Sequence, residues 1–104
     1  MAYKVEYSFR AEEQLDNYIS YIADILMNPD AAASLMDDAE ETVEELSEVA
    51  ASLAYCSDHE LASQGYRSIH FRRHQYHFVY QIEDDIVQIK GVYHDLQDYE
   101  AHQR

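Results

Sequence analysis

The first seven residues alternate. Tyr3, Val5 and Tyr7 stand against Lys4 and Glu6. A period of two predicts a short strand with one buried face. The period then changes. Leu15, Tyr18, Ile19, Ile22, Ile25 and Leu26 recur at helical spacing and predict a helix over residues 9–27, with Ser8 as its N-cap. Asn28-Pro29 marks a boundary, since Asn can cap a helix and Pro suits its first turn. Beyond it, Ala32, Leu35, Met36, Ala39, Val43, Leu46, Ala50 and Leu53 form the apolar stripe of a second helix. Asp37, Asp38, Glu40, Glu41, Glu44, Glu45 and Glu48 crowd the rest of its surface. A short link between two long amphipathic helices predicts an antiparallel hairpin.

Residues 55–64 have weak periodicity and read as a connection with at most one helical turn. Three strand-like segments follow, over 66–71, 76–82 and 86–93. Polar turns at 72–75 and 83–85 separate them, so they predict an antiparallel meander. In the second, Tyr76, Phe78, Tyr80 and Ile82 share a face opposite His77, Val79 and Gln81. In the third, Val87, Ile89, Gly91 and Tyr93 alternate with Ile86, Gln88, Lys90 and Val92. The order β-α-α-β-β-β predicts an α+β fold of two layers, with an N-terminal strand, a helical hairpin and a small antiparallel sheet. The hairpin covers one sheet face. The other, with His77, Gln81, Gln88 and Lys90, is expected to be open. The tail, 94–104, is polar.

Composition adds bounds. The 104 residues suit one domain, and 47% hydrophobic content is enough for a core. Cys56 is the only cysteine, so there is no internal disulfide and no four-thiolate zinc site. Neither a leader pattern nor an apolar run near membrane-spanning length is present, and a soluble cytoplasmic protein is expected.

Charge changes the picture more. The formal net charge is −14. Residues 1–64 carry fifteen carboxylates against Lys4 and Arg10, whereas residues 65–104 carry six against five basic groups. Residues 65–80, GYRSIHFRRHQYHFVY, hold Arg67, Arg72, Arg73, His70, His74 and His77 and no carboxylate. Exposed charges are screened beyond about 8 Å at physiological salt. A local cationic patch can therefore contact RNA or an acidic partner despite the net charge. The acidic second helix reads as a solvated face or as a docking surface for a basic partner.

At this point the chain resembles the RelE/ParE superfamily of toxins from type II toxin–antitoxin systems. The likeness is carried by YKVEYSFRAEEQLDNYISYIAD, NPDAAASLMDDAEETVEEL, GYRSIHF and YHFVYQIEDDIVQIKGVYHDLQDYE, in that order. The resemblance implies a toxin neutralised by a cognate antitoxin, expected here to be a small protein with a basic or amphipathic wrapping segment. RelE-like members are ribosome-dependent endoribonucleases that cut mRNA without metal; ParE-like members inhibit DNA gyrase and are not nucleases. The first is the leading expectation. The alternatives are a gyrase inhibitor or an attenuated toxin acting through protein binding. Two features depart from the family pattern. The Gly-Arg-Arg-Asp-like run that often follows the last strand is absent after His94, and family toxins are usually basic.

For RNA cleavage, the 2′-hydroxyl needs a base, the phosphorane a cation and the leaving oxygen an acid. Arg67 matches the cation, because its fork suits phosphate. His94 matches the acid or base. By resemblance both fall where nuclease members place functional residues. Lys90, expected on the same strand face as His94, and Tyr99 are expected to assist, with Glu60 a weaker candidate base. Arg72, Arg73, His74 and His77 are candidates for holding RNA or partner. Each also has a plain structural reading: Arg67 pairing with the acidic helices, His94 closing a strand. His70, His74 and His77 have a metal-like spacing, but a turn separates them and their rings are not expected to converge. No metal and no cofactor are expected.

Overall fold

The computed structural model describes residues 2–96. It contains β1 (Lys4–Tyr7), α1 (Phe9–Ser20), α2 (Pro29–Val49), α3 (His59–Ser63), β2 (Arg67–His70), β3 (Tyr76–Glu83) and β4 (Ile86–His94). The Ser8 side chain caps α1 by accepting from the Ala11 amide, and Asn28 caps α2 by accepting from Ala31, with Pro29 beginning the helix. The first helix does not stay regular to its expected end. Residues Tyr21–Ile25 form a π-turn, in which the Leu26 amide reaches back to the Tyr21 carbonyl. Met27 then takes a positive φ of 53° to reverse the chain into α2.

The strand order is β1-β4-β3-β2. The meander β2-β3-β4 is antiparallel, as its polar turns predict. The sheet as a whole is mixed, because β1 runs parallel to β4. The long connection that a parallel pair requires includes the helices α1 and α2. They also cover one sheet face. Leu35, Ala39 and Leu46 of α2 and Ala11 of α1 bury against Ile69, Phe78, Tyr80, Val87, Ile89 and Val92.

Regular alternation along β4 fails at Lys90. Val79 pairs with Gly91 and Tyr80 with Ile89, so Lys90 is the extra residue of a bulge. The bulge comes where β1 ends, at the pair Tyr7–Ile89. Past that point the freed edge of β4 is taken up by α1, whose Gln14 side chain accepts from the Val92 amide at 2.9 Å. Beyond the bulge the faces exchange. Val92 and His94 lie opposite Phe78 and Tyr76 on the helix-covered face, and Tyr93 opposite His77 on the other. Lys90 and His94 therefore do not share a face, contrary to the regular-strand expectation.

The second face is not open either. The connection before β2 lies across part of it, and Cys56, Leu61, Tyr66, Val79 and Tyr93 make a second, smaller apolar cluster there. Gln81 donates from Nε2 to the Gln64 carbonyl. Within that connection α3 is the single helical turn the sequence allows, capped by Asp58, which accepts from the Glu60 and Leu61 amides. Among the described residues no helix is long and apolar enough to cross a membrane.

Candidate functional site

The cationic stretch 65–80 becomes the hairpin β2-β3, and its side chains divide among three separate places.

Arg67, at the start of β2, turns toward the end of α2. Its guanidinium donates to the carbonyls of Ala51 and Leu53 at 3.2 and 2.5 Å and to the Tyr55 hydroxyl at 2.8 Å. It also lies over the Tyr55 ring, 4.0 Å from the centroid. The partners are backbone carbonyls and a tyrosine, not the acidic helix faces. Arg67 clamps the chain leaving α2 onto the sheet edge.

The turn after β2 is organised by a buried carboxylate. Asp38 of α2 is fully buried, although the apolar pattern places it with the solvated acids. Its two oxygens accept from the Arg72 and Arg73 amides at 3.3 and 3.0 Å, and Oδ2 lies 2.7 Å from Nδ1 of His74. Burial alone would push its carboxyl up. The His74 hydrogen bond, the two amides and the Arg73 charge outweigh that and hold it below the ordinary carboxylate range. The Arg73 guanidinium pairs with Glu41 and that of Arg72 with Glu45. The turn that the sequence offers for RNA or partner contact is thus docked on α2.

The third place is the far end of the hairpin's other face. His70 pairs with His77 across β2 and β3. Nδ1 of His77 lies 2.8 Å, and Nδ1 of His70 3.2 Å, from the same Oδ1 of Asp95, which follows β4. His77 is buried and His70 exposed. Two of the three histidines with metal-like spacing therefore do converge, and the third, His74, points to Asp38 instead.

His94 stands on the helix-covered face, its ring edge-on to Tyr76 at 4.9 Å, and its Nδ1 accepts from the Leu96 amide. Arg67 pairs with Tyr80 and His94 with Tyr76, on opposite sides of β3. Four residues along the strand and two strand spacings across put their backbones about 16 Å apart. Lys90 lines a small cleft of about 50 Å³ with Arg10, Leu61, Tyr66, Val79, Gly91 and Tyr93. Glu60 begins α3. Tyr99 lies outside the described residues. The structure brings none of Arg67, Lys90 and His94 together.

A different feature is exposed. Phe9, Tyr21, Ile25, Leu26, Met27 and Met36 are large apolar side chains open to solvent on the helical hairpin. Between α1 and α2 runs a groove floored by Leu15, Ile19, Met36 and Ala39 and flanked by Glu12, Asp16 and Glu40.

The sequence matches the family described as the ParE toxin of the type II toxin–antitoxin system parDE over residues 5–99. The chain belongs to this ParE toxin family. Two solved structures share its fold. The chromosomal ParDE toxin–antitoxin system from P. aeruginosa aligns with a TM-score of 0.73 at 19% identity, over 89% of this chain and 96% of that one. The RelBE2 toxin–antitoxin complex from Mycobacterium tuberculosis aligns with a TM-score of 0.57 at 22% identity, over 90% and 99%. No curated protein sequence matches the chain. The ParE family match makes this protein a toxin of a type II toxin–antitoxin system.

Proposed function

We propose that this ParE-family toxin acts by binding rather than by cutting, with DNA gyrase as its target, and that its antitoxin occupies the groove between α1 and α2. One observation carries the reading. The backbones of the arginine and histidine best suited to RNA cleavage lie about 16 Å apart by strand register, and their side chains are engaged separately, the arginine by Ala51, Leu53 and Tyr55 and the histidine against Tyr76. In-line attack on a phosphate needs cation, base and acid around one phosphorus, with reacting atoms about 3 Å apart. A binding toxin has no such requirement. The docked basic turn and the −14 net charge also weigh against tracking an RNA backbone.

The groove suits an amphipathic segment. Its apolar floor accepts one face of a helix, and Glu12, Asp16 and Glu40 favour basic residues along the rim. That is the polarity the acidic helices imply for the antitoxin.

Purified toxin added separately to a gyrase supercoiling reaction and to translating ribosomes tests the proposal. Supercoiling should fall with toxin concentration and mRNA ends should stay unchanged. Codon-positioned mRNA cuts with supercoiling intact would overturn it.

A further inference from the structure

We propose that His70, His77 and Asp95 form a binding site for a divalent transition-metal ion, Zn²⁺ being the best match in ligand chemistry. The site lies on the sheet face opposite the antitoxin groove and does not depend on the identity of the toxin's target.

The strand register builds it. A tight turn sets Phe71 opposite Tyr76, with the Phe71 amide donating to the Tyr76 carbonyl, and this places His70 directly across from His77. Their rings lie 5.2 Å apart, centroid to centroid. Asp95 is fixed beside them because its amide donates to the Gln75 carbonyl at 2.7 Å. One ligating atom from each of the three side chains lies within 4.8 Å of the other two. Tetrahedral Zn²⁺ with bonds near 2.0–2.1 Å separates its ligand atoms by about 3.3 Å. The two imidazole-to-carboxylate distances, 2.8 and 3.2 Å, both lie just below that value. Small side-chain shifts suffice to admit an ion.

The chemistry of the set is selective. Two imidazole nitrogens with one carboxylate oxygen suit Zn²⁺, Cu²⁺ or Ni²⁺, whereas Mg²⁺ and Ca²⁺ prefer oxygen alone. An imidazole that carries its proton on Nε2 leaves the Nδ1 lone pair for a metal. The cations nearest in sequence are turned away, Arg72 to Glu45 and Arg73 to Glu41. The His70 side chain is 66% exposed, which gives the ion a path from solvent. Three protein ligands leave a position for water or for a donor atom from a partner. Bound metal would tie the tip of the β2-β3 hairpin to the chain leaving β4.

The test uses untagged full-length protein stripped with EDTA and titrated with ZnCl₂ by calorimetry, then with Co²⁺ by absorption. Wild type should take up one Zn²⁺ per chain, melt at higher temperature with the metal, and show visible bands of low-symmetry Co²⁺ coordination. His70→Ala and Asp95→Asn should each weaken binding by roughly tenfold or more. His59→Ala, in α3 and outside the cluster, should bind as wild type does. Nitrogen-15 imidazole spectra should report metal on Nδ1 of both His70 and His77. Equal binding by wild type, His70→Ala and Asp95→Asn, or no saturable binding at all, would overturn the proposal.

Discussion

The carboxylate of Asp38 and the imidazole of His74, 36 residues apart in sequence, meet at 2.7 Å beneath the turn that joins β2 to β3. Asp38 is fully buried and also accepts from two amides of that turn. Removing the carboxylate leaves these donors without their acceptor. Asp38→Ala should cost about 2–4 kcal/mol of stability in urea denaturation, more than any substitution among the exposed acids of α2.

The same group makes stability depend on acid. Its folded pKa lies below the unfolded value of 3.8. The stabilisation is therefore complete above the unfolded value and is lost as pH falls through the folded one. Urea midpoints measured from pH 6 to pH 2 should fall more steeply below about pH 4 in wild type than in Asp38→Asn, which has no proton to take up at that site.

Alkali acts through a different buried group. The Tyr80 hydroxyl donates to the Ala50 carbonyl at 2.8 Å in the core. Burial pushes its pKa up to about 12, with the nearby Arg67 charge opposing. Tyr7 is also raised to about 12, by burial and then by Glu40 and Glu12. A raised pKa stabilises fully below the unfolded value of 10.0 and fades as pH climbs toward about 12. Thermal melts between pH 9 and 12 should show this loss. Tyr80→Phe should be less stable by about 1–2 kcal/mol at pH 7 and should lose less on going to high pH.

Element order was legible because each segment has a clear period. The caps at Ser8 and Asn28 and the four alternating residues Tyr76, Phe78, Tyr80 and Ile82 sit as their spacing predicts. The parallel placement of β1 was not legible, since nothing in four residues reports which edge they join. Nor was the bulge, which depends on β1 ending at the level of Ile89. That one extra residue separates Lys90 from the face of His94. Asp38 was misplaced because a charged residue inside an acidic run looks solvated; its partners lie in a distant turn. The His70–His77 contact, by contrast, was within reach. A turn over 72–75 fixes the register, and the register pairs those two residues. Only Asp95, positioned by tertiary contact, completes the cluster.

Arg67 separates a clamp from a catalyst. As a clamp it needs its planar fork, because it donates to two carbonyls and a hydroxyl at once. Lysine offers one point of attachment. Arg67→Lys should lose about 1–2 kcal/mol and increase amide exchange across residues 50–58. Below its melting temperature it should still inhibit gyrase within about threefold of wild type, since stability rather than chemistry is affected.

The groove between α1 and α2 gives the most direct test of how the toxin is restrained. Met36, 47% exposed on α2, lines the groove beside Leu15 and Ile19, and Ile25, 67% exposed at the π-turn, belongs to the exposed apolar surface of the hairpin outside it. Side chains this exposed contribute little to folding, so Ile25→Glu and Met36→Glu should each change stability by less than about 0.5 kcal/mol. Both place a carboxylate where an apolar helix face is expected to bury. Each should weaken antitoxin binding by about tenfold or more, read by calorimetry with the cognate antitoxin, and leave gyrase inhibition in place. Toxicity should then escape control in cells expressing both proteins. Glu12→Gln and Glu40→Gln, on the rim, should chiefly slow association and reduce its salt dependence, because peripheral charges steer encounter more than they hold the complex. If Ile25→Glu and Met36→Glu both bind antitoxin as tightly as wild type, the antitoxin docks elsewhere.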